Sequence, residues 1–305
     1  MTVRDSLKSE PRVLSLGDLR WDHLIQGPHL GGSAAAFACR MAALGRCVEF
    51  AGAVGADAYG KEAVAQLSGY GVQTSLVQVD RQLPTSEARI EVSSDGIPLY
   101  LSRSNDAAGQ LAETRALMNR ADEFDVLYFN SFIQSSVVSG TTLQKFISLS
   151  PPSFKVYELC GMAPETTRPH LEAAFEVASV VCLRGEDVSD VCAILGLPEL
   201  EPALLAAAIP ERYGVSYCVV ANPRQGAIVA SIVGEQVFVA SHQSDPVDLL
   251  GWHEAYVAGF VHHVLRGSNL ERCSTAGMQY ADMVAQVRGA CAPLHRERLE
   301  VVDQA

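Results

Sequence analysis

Two glycine-led entries into helical sequence offer the best prospects for chemistry. One is Gly31-Gly32-Ser33 ahead of the apolar run 34–44. The other is Asp248-Leu249-Leu250-Gly251-Trp252-His253 ahead of a helix expected over 254–266, which carries an acid, Glu254, at its start. The first turn of a helix has N–H groups without intrahelical acceptors and the positive end of the helix dipole, so it suits an anion. A carboxylate there would serve equally as a base or as a dipole-stabilised first-turn residue. Other motifs fall short of their chemistry. Gly55 through Gly60-Lys61 has phosphate-loop spacing, but Glu62 stands where Ser or Thr must hold magnesium, which leaves a tight turn. His253-Glu254 opens like a zinc-protease helix, but Val257 replaces the second histidine. His262 and His263 are adjacent and point about 100° apart, so they cannot chelate together. There is no G-x-S-x-G elbow and no G-x-G-x-x-G fingerprint. The eight cysteines form no C-x-x-C pair and mostly sit in apolar runs, which reads as reduced core thiols with no metal site.

Elements that would position these residues alternate along the chain. Short apolar runs at 13–16, 48–53, 126–130, 155–159, 179–183 and 217–220 read as strands buried on both faces. Helical patterns lie between them at 34–44 (with Ser33 as N-cap), 61–69, 113–120, 141–149, 169–177 and 203–213. After the 254–266 helix, which ends at Gly267, another follows over about 273–289. This order predicts an α/β fold with a mainly parallel, doubly wound sheet and helices on both faces. One segment breaks the rule. Ala88, Ile90 and Val92 alternate with Glu87, Arg89 and Glu91, Ser93-Ser94-Asp95-Gly96 makes a turn, and Ile97, Leu99 and Leu101 share one parity. It reads as an antiparallel hairpin with one wet face, which needs something to pack on: a lid position or a subunit contact.

Bulk properties narrow the partners. With 305 residues, 48% of them hydrophobic, the chain can bury a large core, and no linker divides it. A net charge of −12 disfavours nucleic acid. No apolar run reaches the ~18 residues that span a bilayer, and the N-terminus lacks a signal-peptide core, so no membrane and a cytoplasmic location are expected.

Taken in order, these segments resemble the ribokinase-like (PfkB) carbohydrate kinase family. Gly17-Asp18-Leu19-Arg20-Trp21-Asp22 is similar to its opening strand. Gly31-Gly32-Ser33-Ala34-Ala35-Ala36-Phe37-Ala38, running to Ala43-Leu44-Gly45, resembles its first signature, G-G-x-x-x-N-x-A…L-G. Phe50 through Gly60, then Gly71-Val72, matches the next block. Pro84-Thr85 and the hairpin fit its lid, and Asp248 to Phe260 follows its second signature, D-T-x-G-A-G-D-x-F-x-x-G. The resemblance implies a three-layer ribokinase-like domain over 1–305, with lid segments at about 19–31 and 84–106. It also implies ATP- and Mg2+-dependent phosphoryl transfer to a sugar or nucleoside hydroxyl; the hairpin is expected either to close over the sugar or to form a homodimer through the lid. Glu254 takes the base position and Gly251 the anion hole. Asp22, Gly31 and Gly32 take the sugar side; Glu186, Trp252 and His253 take the nucleotide and phosphate side.

Departures cluster in that site. Glu254 replaces the family's Asp, Trp252-His253 its Ala-Gly, Ala36 its Asn, Leu183-Arg184-Gly185-Glu186 its N-x-x-E, and Ala221-Asn222-Pro223 its T-x-G. A methylene's displacement of a base costs ~10²-fold, and each lost anion-hole donor another ~10²–10³. A protonated His253 would be one way to return charge to a phosphate. The readings left open are an impaired kinase, a sugar- or nucleotide-binding or regulatory protein without the chemistry, and an enzyme that reuses the cleft otherwise.

Overall fold

The computed structural model describes residues 10–103, 106–150, 154–161, 166–242, 245–294 and 296–304. Its strands are β1 (Val13–Leu16), β2 (Arg20–Leu24), β3 (Gly27–Gly31), β4 (Val48–Ala51), β5 (Ala53–Gly55), β6 (Gln78–Asp80), β7 (Ser86–Val92), β8 (Pro98–Arg103), β9 (Val126–Asn130), β10 (Phe154–Glu158), β11 (Val180–Arg184), β12 (Tyr217–Asn222), β13 (Gly226–Ser231) and β14 (Gln236–Ala240). Eight of them form the main sheet in the order β14-β13-β12-β11-β10-β9-β1-β4. From β4 to β12 every pairing is parallel, and β13 and β14 add an antiparallel edge.

The period of two explains the layers. Along β9, Val126 and Tyr128 pack into one core while Leu127 and Phe129 pack into the other; Val180 and Cys182 against Val181 and Leu183 do the same in β11. A strand with both faces covered has no wet side, hence the continuous apolar runs. Helices Ser33–Ala43, Trp252–Arg266 and Leu270–Val284 cover one face; Val137–Leu149, Arg168–Val177, Val188–Leu195 and Pro202–Tyr213 cover the other. The expected doubly wound α/β architecture is present.

Two sequence expectations need correction. Ser33 is the first residue of its helix, not the cap. Gly32 holds the cap position at φ +100°, where a Cβ would lie 2.6 Å from the Asp18 carbonyl oxygen. The capping acceptor comes from far back in the chain: Asp18 takes the N–H groups of Ser33 and Ala34 at 3.1 and 3.3 Å. The hairpin also differs. A register shift between Arg89 and Ile90 sets Tyr100 opposite Ile90 and Leu99 opposite Glu91, so Leu99 faces solvent at 58% exposure rather than sharing the buried parity.

The second sheet is the small one, ordered β3-β2-β7-β8, with β2 and β7 parallel. Its strands fall within the ranges 19–31 and 84–106, of which residues 104 and 105 lie outside the described ones. The hairpin tip docks on the 246–249 segment: Leu249 donates its N–H to the Gly96 carbonyl at 2.8 Å. Asp95 pairs with Arg224 at 2.6 Å in the β12–β13 turn. The lid therefore reaches across the carboxyl ends of the main strands.

Candidate active site

Open α/β sheets bind ligands at the carboxyl ends of their strands, and nearly every expected site residue lies there. On the lid side, Asp22 in β2 is buried over Gly31. A Cβ on Gly31 would fall 2.0 Å from Asp22 Oδ2, so glycine is what admits the carboxylate. Arg20, two residues earlier on the same strand face, donates Nε to Asp22 Oδ1 at 2.7 Å, Nη1 to Asp18 Oδ2 at 3.3 Å and Nη2 to the Tyr100 hydroxyl at 3.2 Å. Burial works against the charge on Arg20, but Asp22, Tyr100 and Asp18 more than offset it and raise its pKa well above the usual value. Asp18 also accepts from Asn130 at 3.0 Å, in addition to capping the 33–43 helix. The amino end of the 33–43 helix therefore holds the chain's own carboxylate, and Asp18 and Asp22 are matched by the Arg20 guanidinium. Beside them lies a polar cleft of about 180 Å3 lined by Asp18, Arg20, Ser86, Asp106 and Phe132. That is below the ~300–1,000 Å3 of most small-molecule pockets.

On the helix side, Gly251 caps the Trp252–Arg266 helix in the left-handed region at φ +77°, and a Cβ there would meet the Ala290 carbonyl oxygen at 2.7 Å. Only glycine combines that backbone with that approach. Asp248 fixes the loop: its carboxylate accepts the N–H groups of Leu250 and Gly289 at 3.0 and 3.1 Å. The helix starts two residues before its expected beginning, which puts Glu254 in the first turn, 5% exposed. It does not stand alone. A carboxylate oxygen of Glu254, one of Glu158 at the end of β10, and Cys160 Sγ all lie within 4.8 Å of one another. Glu158 accepts from the Tyr128 hydroxyl at 2.6 Å through Oε2. Burial, reinforced by Glu254, raises its pKa well above the ordinary carboxylate range.

Arg184, at the end of β11, is the cation facing this group. Burial works to lower its pKa, and Cys160, Glu254 and Glu158 override that and raise it. The space among Glu158, Arg184 and His253 amounts to about 10 Å3, room for roughly one water.

Trp252, placed on the phosphate side by the resemblance, is fully buried, stacks on Tyr256 and directs its indole N–H to Asp282 Oδ1 at 3.4 Å. His253 does face the small cavity, but burial and then Arg184 push its pKa well below the usual imidazole value. Both effects disfavour the charged ring and work against a rescue by a protonated His253. Glu186 lies in the 3-10 turn Gly185–Asp187, exposed to solvent, whereas Glu254 is buried. At the neighbouring turn, Asn222 Oδ1 accepts the N–H groups of Arg224 and Gln225 at 2.9 and 3.2 Å, and Pro223 has no N–H. At this turn the backbone donors are taken up within the chain, which works against a phosphate there.

Asp18, Arg20, Glu158, Cys160 and Arg184 went unselected in the sequence. Asp18, Arg20 and Arg184 stand inside the very motifs that carry the family resemblance, and a charged residue at a strand's carboxyl end was the available signal. Glu158, near the end of the run 155–159, carried the same signal, whereas Cys160 had none, because its partner Glu254 lies about a hundred residues away.

A sheet of this order with a β lid and a glycine-capped helix at its carboxyl edge defines a sugar-kinase frame. A profile described as pfkB family carbohydrate kinase matches residues 27–297, and the chain belongs to that family. Among solved structures, a putative ribokinase II from E. coli superposes with a TM-score of 0.83 at 18% identity, covering 96% of this chain and 99% of that one. A fructokinase with bound ATP from Xylella fastidiosa gives 0.79 at 15% identity, covering 96% and 98%. At such identities the likeness is one of fold. A curated relative, Fructokinase-like 2, chloroplastic, from Arabidopsis thaliana, is 25% identical over 186 residues, which are 58% of this chain and 30% of that protein. Among the described residues, no helix is long and apolar enough to cross a membrane.

Proposed function

We propose that this chain is a binding or regulatory member of the carbohydrate kinase family, one that holds a small polyhydroxyl ligand under its lid and does not carry out ordinary ATP-dependent phosphoryl transfer. The observation that carries this reading is the position of Glu254. Phosphoryl transfer depends on positioning and on electrostatic compensation of a bound phosphate. Here the base position is buried beside Glu158 and Cys160, its charge is met by Arg184, and the adjoining space is about 10 Å3. The lid-side cleft remains open, with carboxylate, hydroxyl and guanidinium groups suited to the hydroxyls of one sugar ring. Titration calorimetry with single sugars and nucleosides, alone and with Mg2+·ATP, tests it: sugar binding without ADP release is the expected result.

A second reading has its own support. Gly251 keeps the left-handed cap, and Glu254 stays in the first turn of the helix it leads. In a divergent kinase Glu254 would take the proton of a sugar or nucleoside hydroxyl as that oxygen attacks the γ-phosphorus of ATP, with ADP leaving. The cavity would have to open and Arg184 would have to swing onto the phosphate. ADP release that requires a sugar and vanishes in Glu254→Gln would establish this reading and overturn the first. A homodimer through the lid agrees with the exposure of Leu99 and Ile97 on the hairpin, and light scattering of the purified chain tests it.

A further inference from the structure

The Glu158–Cys160–Glu254 group is more than a relic of a base. We propose that it is a site for one thiolate-accepting divalent cation, zinc being the type. This goes beyond the binding reading and rests on it in one respect: a Glu254 held by a metal cannot serve as a base.

Geometry comes first. Three donor atoms within 4.8 Å of one another leave the centre of their triangle no more than about 2.8 Å from each, so inward shifts of at most about 0.8 Å by the carboxylate oxygens and about 0.5 Å by the sulfur reach the ~2.0 Å of Zn–O and ~2.3 Å of Zn–S. The donors come from rigid places: Glu158 from the end of a central strand, Cys160 two residues on, and Glu254 from the first turn of a buried helix. The second observation is independent of the clustering. Glu158 is 2% exposed, and its Oε1 has no hydrogen-bond partner although Oε2 is bound by Tyr128. A buried, unpartnered carboxylate oxygen costs several kcal/mol and calls for an explanation. A cation in the group supplies its partner.

Charge agrees. With both carboxylates and the thiolate ionised, three negative charges face a divalent cation and the Arg184 guanidinium, and the buried site is neutral. The donor set also selects the metal. Magnesium takes oxygen ligands and keeps its waters, whereas a site with a thiolate favours zinc, or cobalt in its place. His253 and Arg184 border the adjoining cavity and form its second layer.

The test uses the whole chain, freed of metal by dialysis against chelator and titrated with Co2+ without nucleotide. One Co2+ per chain is expected, with a sulfur-to-cobalt charge-transfer band. Zn2+ should displace it stoichiometrically. Cys160→Ala should abolish the band, Glu254→Gln should weaken Co2+ affinity at least tenfold, and Cys47→Ala, at the exposed cysteine, should change neither. No band in the wild-type chain overturns the proposal whatever the variants do, as does a band that survives Cys160→Ala. A chain that phosphorylates sugars through Glu254 and binds no cobalt refutes both readings; one that does neither refutes this inference alone.

Discussion

Replacing Arg184 with methionine isolates the charge that closes the site. The substitution keeps most of the stem and removes the guanidinium that faces Glu254, Glu158 and Cys160. Burial, reinforced by Glu254, raises the pKa of Glu158 and so disfavours a second negative charge beside Glu254. Removing one partner of a buried ion pair costs about 3–5 kcal/mol because the other is stranded. Arg184 is only partly buried and, among the described residues, acts on these acids by attraction without a contact ion pair, so about 3 kcal/mol is the upper bound. At about 2.1 cal/mol/K per residue, 305 residues give an unfolding entropy near 0.64 kcal/mol/K, and the melting temperature should fall by up to about 5 °C. Adding Glu254→Gln removes the stranded charge. The double variant should recover at least about 1.5 kcal/mol relative to the sum of the two single changes. Denaturant melts at neutral pH on all four chains measure this coupling. Additivity within about 0.5 kcal/mol would show that Arg184 does not hold Glu254, and the account of the closed site would fail with it.

Other expectations follow from the same geometry. Gly31→Ala drives a Cβ to within 2.0 Å of Asp22 Oδ2, so Asp22 and Arg20 must shift; a loss of about 1–3 kcal/mol is expected in thermal melts, part of it recovered when Asp22→Ala is added. Gly251→Ala meets both a positive φ and the Ala290 backbone and should cost more than about 2 kcal/mol by the same measurement. His262 is pushed down to about 4, first by burial and then by Arg46, with Asp303 acting the other way. A depressed folded pKa stabilises above the unfolded value of about 6.5, so on the order of 3 kcal/mol should be lost as pH falls from about 6.5 to 4. Urea melts of wild type and His262→Gln across that range should show the acid-side loss only in the former. Glu158 runs in the opposite sense. Its raised pKa makes the folded state hold a proton that the unfolded state releases, so stability falls as pH rises above about 4.5, and Glu158→Gln should flatten that slope.

Much of the fold was legible because parallel strands covered on both faces must be apolar at every position. The run 126–130 coincides with β9, and 13–16 with β1. β14 was not legible for the converse reason: as an antiparallel edge it alternates exposed and half-buried positions, with Phe238 60% exposed. The parity of β8 was misread because a bulge shifts register by one residue, and no residue type in the hairpin announces it. In the site, glycines were the readable part, since φ +77° at Gly251 and the close approach of Asp22 to Gly31 leave no alternative. The partnerships were not readable. Arg20 and Arg184 look like surface cations at strand ends, and only the three-dimensional arrangement turns them inward.

Those two arginines also explain how the site could drift without the fold failing. Buried acids at a ligand cleft need a counter-charge when the ligand is absent. Arg20 supplies that counter-charge permanently to Asp22 and Asp18, and Arg184 supplies it to the Glu158 and Glu254 end. With each group of acids already facing a cation of the chain, substitutions such as Pro223 in the β12–β13 turn carry little structural penalty, and the lid can stay docked through Gly96 and Asp95. The order of dependence is testable. Restoring aspartate and glycine alone, as Glu254→Asp with His253→Gly, should not restore ADP release, because Arg184 would still satisfy the shorter carboxylate. Sugar-dependent ADP release from that double variant, measured by a coupled assay, would place the block in the backbone of the phosphate loop and not in the arginine.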